Sequence, residues 1–449
     1  MRRTLILGLL VALPAAGSAQ TRPFGTLREQ AAMQQQWLQK RLDTRLPALM
    51  RRYGIDMWVV PMREYNEDPV FTSIVSPETF AARRRTIYVF FDRGPAAGVE
   101  RIALGGSSQG GVYSAVRSTK PISGSGGVAG RQAELWGDEQ WQVLKKVIAD
   151  RNPKVIGIDK SRTFAFADGL SSGELEGMSE ALGPEWTGRF KPAEGLAVDL
   201  IASRLPEEEA FYAKLTELVW ATIDEMFSNR TITPGVTRTS ELVWFWRQRI
   251  NDLGLGTWFQ PSIEVQRKGA AELGEDPVIQ RGDVLHCDVG ITALRLNTDT
   301  QHMAYVLLPG ETDAPAGLRK ALANGNRLQD ILFEEIRPGL TGNEVLRAAL
   351  AKMGREGLDG TIYTHPIGVN GHGAGPLIGL WDYQEGVPGR GDHPVIAGMW
   401  FSSELQATTP VAEWGGQPVR MALEEDFILG ADGKPRWALK RQDRLHLVH

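Results

Sequence analysis

Cysteine is nearly absent from this 449-residue sequence: Cys287 stands alone, so no internal disulfide can staple the fold. Stability has to come from packing or from bound metal. Histidine is missing from the whole stretch before His286, and all seven histidines lie from His286 onward. No long run of Lys and Arg occurs and the formal net charge is only −4, which argues against a nucleic-acid partner or a polybasic membrane patch. The partner expected is a small molecule. A disordered chain is excluded as well, because 42% of the residues are apolar and 8% aromatic, enough to build cores of more than one domain.

Long apolar stretches are confined to the start. MRRTLILGLLVALPAAGSAQ joins a basic opening at Arg2 and Arg3 to an apolar run from Leu5 to Ala16 and then to small residues ending at Ala19. The run is short for a membrane span and has the layout of a secretory signal, so cleavage after Ala19 and a soluble mature chain are expected. An exported protein of this Ala-, Gly- and Arg-rich composition fits a bacterial periplasm or exterior.

Apolar residues recur at helical spacing from Leu27 to Arg52, with Gly54 as a stop. Strand-like runs follow at Met57 to Val60, Thr86 to Phe91, Arg101 to Leu104 and Val155 to Ile158, and a helical pattern begins after Asp138. The Ser/Gly tract from Ser123 to Gly130 reads as a loop. Alternating strands and helices predict an α/β domain over residues 20–203. A fresh start at RLPEEEA, with Pro206 and three glutamates in a first helical turn, places the boundary near residue 203. A second domain is expected over 204–435, with a tail from 436 to 449. Its helices are expected at Ser240 to Leu253, at Leu318 to Ile336, and after Thr341, where Thr341 and Glu344 have capping-box spacing. Its strands are expected at Asp283 to Gly290, Met303 to Leu308, Gly398 to Leu405 and Val419 to Leu429.

The chemistry concentrates in that second half. Asp288 lies inside one apolar strand signal and Asp299 just before another, eleven residues on. Two adjacent strands would bring these carboxylates side by side, where they would repel unless a divalent metal compensates them. Glu404, in GMWFSSELQ, and Glu424, in RMALEEDFIL, are again acidic residues in strand-like sequence. His365 and His372 stand seven apart in the glycine-rich THPIGVNGHGAGP. One histidine with four carboxylates is the donor set expected of a paired Mn, Co or Zn site.

On these motifs the chain resembles the pita-bread metallopeptidases, the group of methionine aminopeptidase, aminopeptidase P, prolidase and the metal-free creatinase. The resemblance covers about residues 207 to 430, and the preceding segment is similar to the N-terminal domain of creatinase, prolidase and aminopeptidase P. It implies an α/β N-terminal creatinase/prolidase-like domain followed by an α+β pita-bread catalytic domain, and a homodimer. It also implies two divalent ions held by Asp288, Asp299, His365, Glu404 and Glu424. Activity would be hydrolysis of small peptides, Xaa-Pro bonds first, by a hydroxide between the ions. Glu404 would serve as proton shuttle and His372 would touch the substrate. Creatinase-like metal-free chemistry is disfavoured by the five retained donors; a prolidase-like or amidase activity and an inactive binding module are the alternatives.

The chain departs from the family in two places. The histidine usual ahead of the first aspartate is missing; FQPSIEVQRKG stands there, so Gln266 or Arg267 is expected in its place, and an arginine would favour a carboxylate-bearing substrate. The arginine usual two residues before the second glutamate is replaced by Ala422, while Arg420 shares its strand face by parity. His286 shares a face with Asp288 and is expected as a partner of a ligand; Cys287 points to the opposite face. Trp258, Trp381, Trp400 and Trp414 are candidates to wall a proline-sized pocket.

Overall fold

The computed structural model describes residues 22–120, 122 and 132–449. The expected signal segment and the Ser/Gly tract fall outside the described residues. No described helix is long and apolar enough to cross a membrane.

Thr26 opens the first helix with a capping box to Glu29, and Gly54, in a left-handed conformation, ends it after Tyr53. Six strands follow: β1 (Met57–Arg63), β2 (Arg85–Asp92), β3 (Val99–Leu104), β4 (Ser114–Val116), β5 (Ile156–Ile158) and β6 (Phe190–Pro192). They form one mixed sheet in the order β4-β3-β2-β1-β5-β6. Strand alternation on β1 explains the layering. Trp58, Val60 and Met62 face the helices Leu27–Tyr53 and Glu194–Ala202, whereas Met57 and Val59 face Asp138–Arg151 and Ser172–Leu182. Helices on both faces make this the α/β layer read from the alternating pattern.

The helix Glu194–Ala202 is followed by Pro206–Met226, with Pro206 at its first turn. The remaining strands are β7 (Ser262–Gln266), β8 (Val284–Val289), β9 (Thr292–Ala293), β10 (Leu296–Asn297), β11 (Thr300–Val306), β12 (Asp359–Ile362), β13 (His365–Pro366), β14 (Trp400–Ser402), β15 (Leu405–Val411), β16 (Gln417–Leu423), β17 (Asp426–Leu429), β18 (Pro435–Trp437) and β19 (His446–Val448). They group as β19-β11-β8-β7, β12-β15-β16, β13-β14-β17-β18 and the small β9-β10 hairpin. The helices Pro206–Met226 and Thr239–Asp252 cover Leu285, Cys287 and Val289 on one face of β8, and Ala316–Glu335 and Gly342–Arg355 pack beside β12 and β15. Alternation then turns His286 and Asp288 to the other face.

Two expected strands are each broken in two. Residues 398–405 divide into β14 and β15 around Ser403 and Glu404, and 419–429 divide into β16 and β17 around Glu424 and Glu425. At both breaks the chain passes from one sheet to another, and each break carries a glutamate. The apolar pattern continues through both, because both sheets bury one face, so the sequence shows no gap there. At the C-terminus, the residues expected as a tail include β19, which pairs in parallel with β11.

Candidate metal centre

Each carboxylate reaches the centre by a different local device. Asp288 sits near the end of β8 opposite Gln301 of β11, and Asp299 immediately precedes β11. The hairpin β9-β10 therefore brings the two aspartates together, as their spacing suggested. Glu424 follows β16 and pairs with Gln301 through an isolated backbone bridge, while His365 on β13 stands opposite Ser402 of β14. Glu404 follows two residues after Ser402.

The five side chains converge. His365 Nε2 lies 3.3 Å from Glu424 Oε1, 3.6 Å from Asp299 Oδ2 and 3.9 Å from Glu404 Oε2. Ligand-type atoms of Asp288, Asp299 and Glu424 lie within 4.8 Å of one another, and so do those of His365, Glu404 and Glu424. His365 Nδ1 contacts Pro366 O at 3.0 Å; donation to that carbonyl leaves Nε2 to face the acids. Asp288 Oδ1, Asp299 Oδ1, His365 Nε2 and Glu424 Oε1 are buried without a hydrogen-bond partner. Four inward-aimed orphans in one spot are costly unless a cation joins them.

The electrostatics say the same. Burial, then the charge of Glu424, drives the Asp288 and Glu404 carboxyls well above the usual carboxylate range. Asp299 is driven up by burial, Glu424 and Asp288. Burial works against charging His365, but the adjacent Glu424 carboxylate outweighs it and raises its pKa. The cluster calls for positive charge at its middle. One imidazole nitrogen and four carboxylates are hard and borderline donors suited to Mn, Co or Zn, so the residues fit a pair of divalent ions.

A cavity of about 390 Å³ opens beside the cluster, with Asp288, Glu404, Trp381, Tyr363 and Arg420 among its walls. His372 packs edge-on to His365 with ring centroids 4.9 Å apart and to Trp258 at 5.2 Å. Burial and then His365 push its pKa down to about 4, so it is neutral near pH 7. His286 Nε2 donates to Gln301 Oε1 at 2.9 Å, and Gln301 Nε2 donates to Glu424 Oε2 at 2.7 Å. His286 thus reaches a ligand candidate through Gln301 and also lines the cavity.

Other expectations are corrected. Arg267 does not line the cavity: its guanidinium holds the buried Asp283 at 2.7 and 2.8 Å. Ser262 and Glu264 occupy the cavity-facing parity of β7, and Arg267 falls on the other. Gln266, the other residue considered, bonds the backbone of Arg420. Of the four tryptophans, Trp381 lines the cavity and Trp258 backs His372, whereas Trp400 and Trp414 are buried in separate apolar cores. Cys287 is fully buried on the face away from the site.

Sequence reading overlooked Gln301, Tyr363, Glu264 and Asp426. Gln301 was open to parity, being two residues after Asp299. Asp426 accepts from Tyr212 Oη at 2.8 Å and from the Asp299 backbone at 3.3 Å, contacts made across more than a hundred residues of chain.

The model of metallopeptidase family M24 matches residues 212–429. No curated protein matches the chain significantly. Among solved structures, an X-Pro aminopeptidase from Thermotoga maritima is similar with a TM-score of 0.58 and 17% identity, over 89% of this chain and 100% of that one. An Xaa-Pro dipeptidase from Bacillus anthracis gives 0.56 and 17%, over 91% and 99%. The N-terminal domain of the FACT complex subunit SPT16 from chickpea gives 0.55 and 14%, over 92% and 99%. At such identities these likenesses establish the fold, which the FACT subunit shares with the two peptidases. The family match over residues 212–429 and the shared architecture give this chain a pita-bread domain of the kind found in metallopeptidase family M24, behind an N-terminal α/β domain.

Proposed function

We propose that this hydrolase is an exported, dinuclear metal-dependent peptidase of short peptides, with Xaa-Pro bonds as its first substrate class. The observation that carries the reading is the convergence of five side chains, four of which aim unpartnered buried atoms at one point. Asp288, Asp299, His365, Glu404 and Glu424 would hold the ions. Two bound divalent ions would activate a water as nucleophile and polarise the scissile carbonyl.

The chain's own groups supply the rest. Glu404, which lines the cavity, takes a proton on a carboxylate oxygen and passes it to the leaving amine. His372, neutral and packed against Trp258, donates a hydrogen bond to the developing oxyanion. Trp381 and Tyr363 give the cavity apolar surface able to take a proline ring. The X-Pro aminopeptidase and the Xaa-Pro dipeptidase among the structural neighbours favour this class. The N-terminal residues favour export, and the family favours a homodimer.

The test is metal content by mass spectrometry on mature protein purified without chelator, with hydrolysis of Xaa-Pro dipeptides and tripeptides under added Mn, Co or Zn. About two metals per chain and cleavage lost in Asp299→Ala are expected. No metal uptake under any condition would overturn the ligand assignment.

A further inference from the structure

Where the two domains meet, buried guanidinium groups outnumber the carboxylate beside them. Arg41 lies on the helix Leu27–Tyr53, Arg204 between the helices Glu194–Ala202 and Pro206–Met226, and Arg295 in the turn of the β9-β10 hairpin. Glu208, in the first turn of Pro206–Met226, is already spent: Oε1 pairs with Arg41, and Oε2 accepts the Leu205 N–H at 2.7 Å. Arg204 and Arg295 bond neutral acceptors instead. Arg204 donates to the Ser203 carbonyl at 3.1 Å, and Arg295 to the carbonyls of Thr72 and Val75 at 2.9 Å and of Ser76 at 3.1 Å. Burial pushes the Arg204 guanidinium down to about 10, Arg41 adding to the push against the pull of Glu208. Burial and then the charge of Arg41 lower Arg295 as well. Surplus positive charge out of water is costly unless an anion joins it.

Arg295 is held there against the preference of its own backbone. Leu294 and Arg295 make the two-residue turn between β9 and β10, and both have positive φ, 49° and 63°. Asn and Gly suit such a turn; Leu and Arg adopt it at a cost. The turn carries the guanidinium across to the end of the short helix Phe71–Ile74 in the N-terminal domain. Its three carbonyl partners leave Nε–H and one Nη2–H to spare. A small cavity of about 30 Å³ sits at this junction, with Arg41, Arg295, Ser73 and Glu208 in its walls beside Leu38 and Leu296. Two of these residues bring donors that nothing else uses: Arg41 Nε and Ser73 Oγ are buried without a hydrogen-bond partner, on side chains 5% and 1% exposed. The volume takes a water-sized or monatomic guest and is too small for a phosphate group.

We propose that the domain junction binds one halide ion of chloride size, held by the guanidiniums of Arg41 and Arg295 and the hydroxyl of Ser73. The guanidiniums supply charge-assisted donors, and the hydroxyl supplies a neutral one. Glu208 does not repel the ion from this place unopposed, because both its oxygens are turned to donors of their own. Leucine walls favour a weakly hydrated anion, chloride or bromide, over strongly hydrated fluoride or sulfate. The ion ties the first helix and the segment Phe71–Ile74 to the hairpin that stands between Asp288 and Asp299, and so braces one domain against the other. The site is independent of the peptidase reading.

The test is a series of thermal melts of the metal-loaded full-length protein, with chloride replacing gluconate at constant ionic strength. Tm is expected to rise by about 2 °C or more and to level off as the site fills. Bromide should act as chloride does, and fluoride should not. Arg295→Gln should abolish the saturable rise. Ser73→Ala, a variant that loses one hydroxyl and keeps the fold, should move its midpoint to about fivefold more chloride. In crystals grown with bromide, the anomalous signal should show the ion between Arg41 and Arg295. A wild-type Tm indifferent to chloride, or one that climbs without levelling off, would overturn the proposal. So would a saturable rise that both variants keep unchanged, which would put the halide elsewhere, or bromide found only away from this junction.

Discussion

Asp299→Asn should change the sign of its effect on stability when metal is added. Ligand-type atoms of Asp288, Asp299 and Glu424 crowd within 4.8 Å. At that separation each ionised pair repels by about 3.5 kcal/mol for an effective dielectric constant near 20. Protonation relieves part of this, as the raised pKa of Asp299 indicates. Replacing the acid by a neutral amide should therefore stabilise the metal-free protein at pH 8 by about 2 kcal/mol, or roughly 4–8 °C in Tm. The advantage should shrink as pH falls, because protonating the acid removes the same repulsion. With metal the order reverses: wild type gains about 4 kcal/mol at a thousandfold excess over Kd, and the variant, short of a ligand, gains far less. Scanning calorimetry with chelator and with Mn reads both effects. A metal-free variant that melts below metal-free wild type would refute the reasoning, because it would mean that Asp299 is already satisfied by protein partners.

Three further outcomes follow from other parts of the molecule. His302 is fully buried between Glu425 at 2.8 Å and His446 at 3.0 Å, and burial pushes its pKa down to about 3. Its folded pKa lies below its unfolded value, so its contribution to stability is complete above pH 6.5 and is lost as pH falls towards 3; His302→Phe should cost about 1–3 kcal/mol at pH 8 and flatten that acid limb in denaturant titrations. Asp68 has the opposite slope: burial, with the charge of Asp168, raises its pKa to about 6 against the hydrogen bonds it accepts, so stability falls as pH rises from 3.8 through 6, and Asp68→Asn should stabilise the protein by up to about 3 kcal/mol at pH 8 in urea unfolding. At Gly371 a Cβ would overlap the Trp258 indole that backs His372. Gly371→Ala should lower kcat by about tenfold or more with only a small change in Tm, and an unchanged kcat would separate His372 from turnover.

Much of this protein is legible without coordinates where the signal is local. The capping boxes at Thr26 and Thr341, the glycine stop at Gly54 and Pro206 at a first helical turn all operate within a few residues, and the helices begin and end by them. Parity along β8 likewise separates Cys287, in the core, from His286 and Asp288, towards the cavity. Residue type and spacing also singled out the six side chains that meet at the centre, because buried acids and glycine-flanked histidines are conspicuous in apolar sequence.

What residue order did not reveal depends on contacts between distant segments. The breaks at Glu404 and Glu424 arise where the chain changes sheets, and the apolar pattern runs on unbroken because both sheets bury a face there. Arg267 and Arg420 are equally plausible anion binders as sequence; Asp283 captures one, while Glu264, Gln406 and Gln266 aim the other into the cavity. Composition and spacing by themselves determined which donors the chain owns. The tertiary structure alone decided which of them share a cavity and at what separation, since electrostatic partners fall off with distance in space and not along the chain.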